Sequence, residues 1–397
     1  MSADVKALLL QKSKELHATV IAWRRHFHAH PELSFQEVKT SQFVYDTLCA
    51  FPGLEVSRPT ETAVMAILCG DRPGKVIALR ADMDALPLTE EAKVEYASQN
   101  PGVMHACGHD GHTAMLLGAA QILTDCRHLI AGEVRFIFQP GEEYGGAPSL
   151  LATGVLDGVD QALALHLWIP VASGKMGIVY GPAMATADAF TIRIIGKGGH
   201  GAMPHDTIDP IMIGTEIVSS LQTIITRKLN PLDVALLSVT KFAAGTNYNV
   251  IPDTAELQGT IRALDMQVLH DMKQLMRETV AGICQAHHAK YEITFVNDAL
   301  EFPVLINDSQ ATKIVEETIV ESFGADWCEY VRPTLGGEDF GYYAQRVPAT
   351  MLFIGARTEA KGIEYPHHHP RFDIDEDALE YGVRVFVNFI RKTSMEV

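Results

Sequence analysis

Val76-Ile77-Ala78-Leu79-Arg80-Ala81-Asp82 is a short unbroken apolar run that ends in charged residues. Consecutive apolar side chains suit a strand covered on both faces, because such a strand has no solvated side to keep polar. Val134–Phe138 and Ala162–Leu167 have the same character, and a helical stretch rich in Ala and Leu, Thr113–Thr124, lies between the first two runs. Strands alternating with helices predict an α/β fold built on a mostly parallel sheet. Ligands of such sheets bind beyond the carboxyl ends of the strands. Arg80-Ala81-Asp82, Gly141-Glu142-Glu143 and His166 fall at or near those ends, so the polar candidates converge on one edge.

Upstream, Leu8, Leu9, Leu16, Val20, Trp23 and Phe27 recur at helical spacing and predict an amphipathic helix running towards Pro31. Downstream, the rhythm changes over residues 183–297. A strand over Ala189–Ile195 precedes a helix that Asp209-Pro210 opens with a cap and a proline at its first position. Strands over Ala235–Phe242 and Ala255–Leu264, a helix over Met266–His287 and a strand over Tyr291–Val296 complete a β-α-β-β-α-β order, that of a ferredoxin-like unit. The α/β pattern then resumes with a helix over Ser309–Phe323, a strand over Ala349–Ile354 and a helix from Ala378 to Ile390. The expectation is one α/β domain, residues 1–182 and 298–397, interrupted by a small inserted domain, residues 183–297.

A chain of 397 residues suits two domains. Its formal charge of −17 repels phosphate backbones and anionic headgroups, which argues against nucleic acid and membranes as partners. No apolar run nears the ~20 residues that cross a bilayer. The start, Met1-Ser2-Ala3-Asp4-Val5-Lys6, lacks the basic and apolar regions of a leader. Six scattered cysteines make no disulfide framework, so a soluble protein of a reducing, cytoplasmic compartment is expected.

The chemistry concentrates in His105-Ala106-Cys107-Gly108-His109-Asp110 and Gln139-Pro140-Gly141-Glu142-Glu143. Thiolate, imidazole and carboxylate together form the mixed donor set of divalent transition metals. Cys107 and His109 flank one glycine and can reach one ion from a turn; a lone buried cysteine is ordinarily just a small hydrophobe. Adjacent glutamates are usually a solvated pair, but these follow a buried run and a Pro-Gly break. Beside a metal, one carboxylate can bind the ion while the other shuttles protons, the division of labour of a metal-assisted hydrolase. His166, within Leu163–Trp168, alone reads as a core histidine. In Pro366-His367-His368-His369-Pro370, spacing does not decide which imidazole binds. Gly196-Lys197-Gly198-Gly199-His200-Gly201 formally matches a dinucleotide fingerprint, yet Ala202-Met203-Pro204-His205 intervenes before the next helix, so that reading is rejected.

These segments resemble the dinuclear metal-dependent amidohydrolase and peptidase family, in its branch of N-acyl-L-amino acid amidohydrolases, hippurate hydrolases and auxin-conjugate hydrolases. The resemblance runs through Arg24–Leu33, Leu79–Pro87, His105–Gly111, Gln139–Glu143, Gly198–His205, Asn249–Asp253, Gly337–Phe340 and His368–Asp373. It implies two divalent ions, one held by His109 and His166, the other by Glu143 and His368, with the Cys107 thiolate between them. It selects His368 as the histidine two residues before proline. A soft thiolate favours Mn, Co, Ni or Zn. Glu142 would be the general base, His200 would help stabilise the amide oxygen, either in cis or, as often in this family, across a dimer interface, and Asn249 and Arg262 would hold the substrate carboxylate. Asp82 would orient His109. No role follows for Glu338 or Asp339. The inserted domain would serve as lid and dimerisation domain of a homodimer or homotetramer.

The expected activity is hydrolysis of small N-acyl-L-amino acids. A dedicated deacylase of one metabolite, such as hippurate or an N-acetylated diaminopimelate, differs only in pocket shape. A non-catalytic metal-binding protein on the same fold is the alternative from another class, and a missing base would be its mark. A dinuclear phosphoesterase usually gathers carboxylates around hard ions, to which a thiolate is foreign.

Overall fold

The computed structural model describes residues 2–298 and 301–395; Met1, which opens the leader reading, lies outside the described residues. The chain separates into two compact units, one of Met1–Gly181, Ile306–Arg332 and Asp339–Val397, the other of Pro182–Leu305 and Pro333–Glu338.

The first unit is built on an eight-stranded sheet, in the order Glu55–Ser57, Val64–Cys69, Ala131–Gln139, Arg72–Asp82, Gln161–Ala172, Ala349–Arg357, Met176–Ile178 and Cys328–Tyr330. The central neighbours run parallel, with Leu79 beside Phe136 and Leu163, and Leu352 beside Leu165. Ala349–Ala356 is buried without a break, so no side of this strand is left to solvent. Antiparallel strands Val64–Cys69 and Glu55–Ser57 extend one edge. The apolar runs did not disclose them, because Glu55–Ser57 is three residues long and mostly exposed. Helices Ser2–Ala29, His109–Asp125 and Asp377–Ser394 pack on one another and form a single core with the sheet. Among the described residues, no helix is long and apolar enough to cross a membrane.

The second unit contains a four-stranded antiparallel sheet in the order Ala235–Ala244, Thr254–Ala263, Asp188–Ile195, Lys290–Phe295. Helices Pro210–Thr223 and Met266–Ala286 supply the remaining elements of the ferredoxin-like order. Along Thr254–Ala263 every second residue is buried, the period-two signature of a sheet packed on one face. Asp209 caps its helix as the sequence predicted, its carboxylate accepting from Ile211 N at 2.9 Å. Asp265 does the same for the second helix.

Candidate active site

Two strand ends and one helix start bring the donors together within the first unit. Asp82 ends its strand beside Gln139, which ends the next. The chain breaks after Gln139 because Gly141 takes φ 69°, in the left-handed region, and throws Glu142 and Glu143 into a short turn. His166 stands within its strand rather than at the end, since Gln161–Ala172 continues to Ala172. Its pairing with Arg72–Asp82, however, stops at Arg80 opposite Ala164, so His166 lies just beyond that neighbour. Gly108, at φ 94°, turns the chain into helix His109–Asp125 with Cys107 immediately before it.

Cys107, His109 and His166 place one donor atom each within 4.8 Å of one another, as do Cys107, Glu143 and His368, and His109, Glu142 and Glu143. Cys107 Sγ is 3.8 Å from His166 Nε2, and His368 Nε2 is 3.3 Å from Glu143 Oε1. His109 Nε2 is buried with no hydrogen-bond partner among the described residues, and Glu143 Oε1 is buried with the His368 ring 3.3 Å away. Orphaned lone pairs aimed at a shared space, from nitrogen, sulfur and oxygen, are what a transition metal satisfies; the residues present fit such ions. Burial and then Glu143 push the Cys107 thiol up, whereas its hydrogen bond to His368 and that residue's bond to Glu143 lift the His368 imidazole to about 10. A cation relieves both, because it stabilises the thiolate and displaces the imidazole proton.

The environment of each ring identifies its role. His166 Nδ1 lies 2.8 Å from the carbonyl of Leu167, which only accepts, so Nδ1 carries the proton and Nε2 faces Cys107. His367 Nε2 donates to that same carbonyl at 2.9 Å, and its ring lies 4.6 Å from Trp168. His369 Nδ1 accepts from Arg371 N at 3.0 Å. Of the three consecutive histidines, His368 is the one that shares a donor group with Cys107 and Glu143.

Asp82 does not occupy the place expected of it. The Nδ1 of His109 faces Asp84, 3.0 Å from its carbonyl and 3.2 Å from its carboxylate. Asp82 instead accepts from His112 Nδ1 at 2.6 Å and from Arg80 at 2.7 Å. The two carboxylates lie at the end of the strand, Asp82 as its last residue and Asp84 two residues beyond, and the approach of the helix distinguishes them. Burial raises the Asp82 carboxyl, but His109, His112 and Arg80 outweigh it and hold the group well below the usual range. Asp339, which had no expected role, accepts from Arg80 and Gln139 at 2.8 Å, and its own N–H donates to Glu142 Oε1 at 3.3 Å. Glu142 is buried, with Oε2 4.0 Å from His109 Nε2.

Beneath this layer Arg24, fully buried, donates to Asp110 at 2.8 Å and to Asp373 at 2.8 Å. Asp110 follows ligand candidate His109, so the guanidinium ties the first helix to the start of the metal-bearing one. His28 Nδ1 meets the same Asp110 oxygen at 2.8 Å. Arg24→Ala leaves Asp110 buried without its cation and is expected to cost about 3–5 kcal/mol of stability, read as a lower urea midpoint at constant slope. A loss below about 1 kcal/mol would mean that Asp110 finds solvent or another donor.

His200, Asn249 and Arg262 all belong to the second unit. Gly199–His200 pairs with Val250–Ile251, and Asn249 O accepts from Gly201 N at 2.9 Å, which brings His200 and Asn249 to one two-stranded antiparallel ribbon. Arg262 donates to the carbonyls of Asp188 at 3.2 Å and Ile261 at 2.9 Å, and to the Thr260 hydroxyl. Its half-buried guanidinium pairs with no carboxylate among the described residues.

Residues 78–392 match the profile of peptidase family M20/M25/M40. The N-acyl-L-amino acid amidohydrolase of Geobacillus stearothermophilus is 59% identical over 71% of this chain and 76% of its own. Thermostable carboxypeptidase 2 of Saccharolobus solfataricus is 43% identical over 96% of both chains. The crystal structure of the Bacillus subtilis YXEP protein, a dinuclear metal-binding peptidase of the M20 family, superposes with a TM-score of 0.82 at 35% identity, covering 95% of this chain and 98% of that one. With its sheet, its donor set and these relatives in agreement, the chain belongs to peptidase family M20/M25/M40.

Proposed function

We propose that this protein is a metal-dependent amidohydrolase that cleaves N-acyl-L-amino acids to a carboxylic acid and a free amino acid. The observation that carries the reading is the unequal placing of two adjacent glutamates: both share a donor group with His109, but Glu143 also shares one with Cys107 and His368 while Glu142 does not. The relative from Geobacillus stearothermophilus supports the substrate class. Two divalent ions, of the Mn, Co, Ni or Zn type, would be held by His109 and His166 and by Glu143 and His368, with Cys107 shared, and would polarise the amide carbonyl and acidify water.

The chain's own residues then move protons. Glu142 removes a proton from the attacking water as oxygen bonds to the carbonyl carbon. It returns that proton to the amide nitrogen as the C–N bond breaks, so acid and amine leave in balance. Asp339 N–H holds one Glu142 oxygen in place. Residues 1–182 and 298–397 form the catalytic domain and 183–297 the inserted lid and dimerisation domain, a division supported by the two compact units. His200 stabilises the amide oxygen from a second copy, making the working unit a homodimer or homotetramer. Six unpaired cysteines suit a cytoplasmic protein.

Asn249 and Arg262 hold the free carboxylate of the substrate. Arg262, without an acidic partner, has donors to offer. A panel of N-acyl-L-amino acids, assayed by amine release after metal loading, tests the activity; failure to cleave any member overturns it. In the same panel Arg262→Met is expected to raise KM about tenfold and leave kcat within about twofold, as loss of uniform binding requires. A fall in kcat with KM unchanged would move Arg262 out of substrate binding.

A further inference from the structure

The peptide unit of Leu167 is the meeting point of three histidines. Its carbonyl accepts from His166 Nδ1 at 2.8 Å and from His367 Nε2 at 2.9 Å. Its N–H donates to His112 Nε2 at 2.8 Å. His166 belongs to one donor group, and His367 precedes His368 of the other. Both groups therefore hang on one carbonyl, and the backbone at Leu167 aims both.

His112 holds the other polar group of that residue, the N–H on the peptide that joins Leu167 to His166. Since a backbone N–H only donates, Nε2 must accept, and Nδ1 must carry the proton donated to Asp82 at 2.6 Å. Only one neutral tautomer satisfies both partners. Asp82 is fixed in turn by Arg80, which also reaches Asp339, whose N–H meets Glu142. The Leu167 side chain closes over the same site: a Cβ added at Gly108 would lie 3.3 Å from Leu167 Cβ, and one at Gly111 2.4 Å from Leu167 Cδ1. Every member but His367 is buried.

We propose that His112 is a positioning residue that binds no ion itself but fixes the backbone at Leu167, and through that residue orients His166 and the segment carrying His368. The inference rests on the metal-hydrolase reading. Partners that orient ligands from behind typically contribute 10–100-fold in metal affinity.

Two substitutions separate this role from simple core filling. In His112→Gln the amide oxygen can stand where Nε2 accepts from Leu167 N–H; in His112→Asn the amide nitrogen can stand where Nδ1 donates to Asp82, with no acceptor for Leu167. Zinc affinity by competition with a chromophoric chelator, and the visible spectrum of the Co(II)-loaded protein, are read on the full chain. His112→Gln is expected to bind within about threefold of the parent with an unshifted cobalt spectrum, and His112→Asn at least about tenfold more weakly with a shifted one. Equal affinity in the two variants overturns the inference. So does a folded His112→Gln that binds tenfold more weakly than the parent, which decides the matter even when His112→Asn does not fold. A parent protein that takes up no ion removes the metal-hydrolase reading itself, an outcome distinct from any order among the variants.

Discussion

Glu142→Gln is expected to lower kcat on an N-acyl-L-amino acid by about 10³-fold while the metal content stays at the parent level. The substitution keeps the shape of the side chain and leaves an oxygen to accept from Asp339 N–H, which lies 3.3 Å from Glu142 Oε1. Glu142 sits in a turn with its side chain buried, so packing changes little. Proton acceptance is what disappears, because an amide cannot take the proton of the attacking water or hand one to the leaving nitrogen. Metal analysis beside steady-state kinetics separates the outcomes. Turnover near the parent value with ions bound would deny Glu142 the role of base. Lost turnover with lost ions would make it a ligand instead.

Cys107→Ala is expected to abolish two-ion binding and to reduce activity by about 10³-fold or more, since several kcal/mol of charge stabilisation leave with the ions. Its sulfur belongs to two donor groups at once, with His109 and His166 and with Glu143 and His368. Removing it also leaves the His368–Glu143 pair, 3.3 Å apart, free to settle as an ordinary ion pair. The fold itself should survive, because the helix from His109 and the sheet are held by apolar core that this side chain does not supply. Elemental analysis after loading, with circular dichroism as the control, reads the result. A Cys107→Ala protein that retains two tightly bound ions would remove the sulfur from the centre of the site.

Much of this architecture was legible from local pattern. Val76–Leu79, Val134–Phe138 and Ala162–Leu167 carried the parallel sheet, and the β-α-β-β-α-β rhythm of the second unit followed from alternating periods. Hydrophobic period is a property of neighbouring residues, so a chain displays it before it folds. The donors Cys107, His109, Glu142 and Glu143 also announced themselves, because a thiol and an imidazole around one glycine and paired carboxylates after Pro-Gly are unusual in short stretches. Resemblance then selected His368 from its neighbours; the structure shows the local reason, since the His367 Nε2–H is directed at Leu167 O.

What pattern did not reveal was which polar atom answers which. Asp82 and Asp84 stand two residues apart where the strand ends, yet Asp84 meets His109 Nδ1 and Asp82 meets His112 Nδ1. Arg24 finds Asp110 at a separation of 86 residues, and His112 finds Leu167 at 55. Such pairings depend on where two elements come to rest, and each is set by a few tenths of an ångström and by the orientation of a ring. By itself the sequence determined the periods of its strands and helices and the chemical types at their ends, because both are written in adjacent residues. Only tertiary packing decided the tautomers and partners around the site, because a hydrogen bond is chosen by distance and direction between segments that meet only in the folded chain.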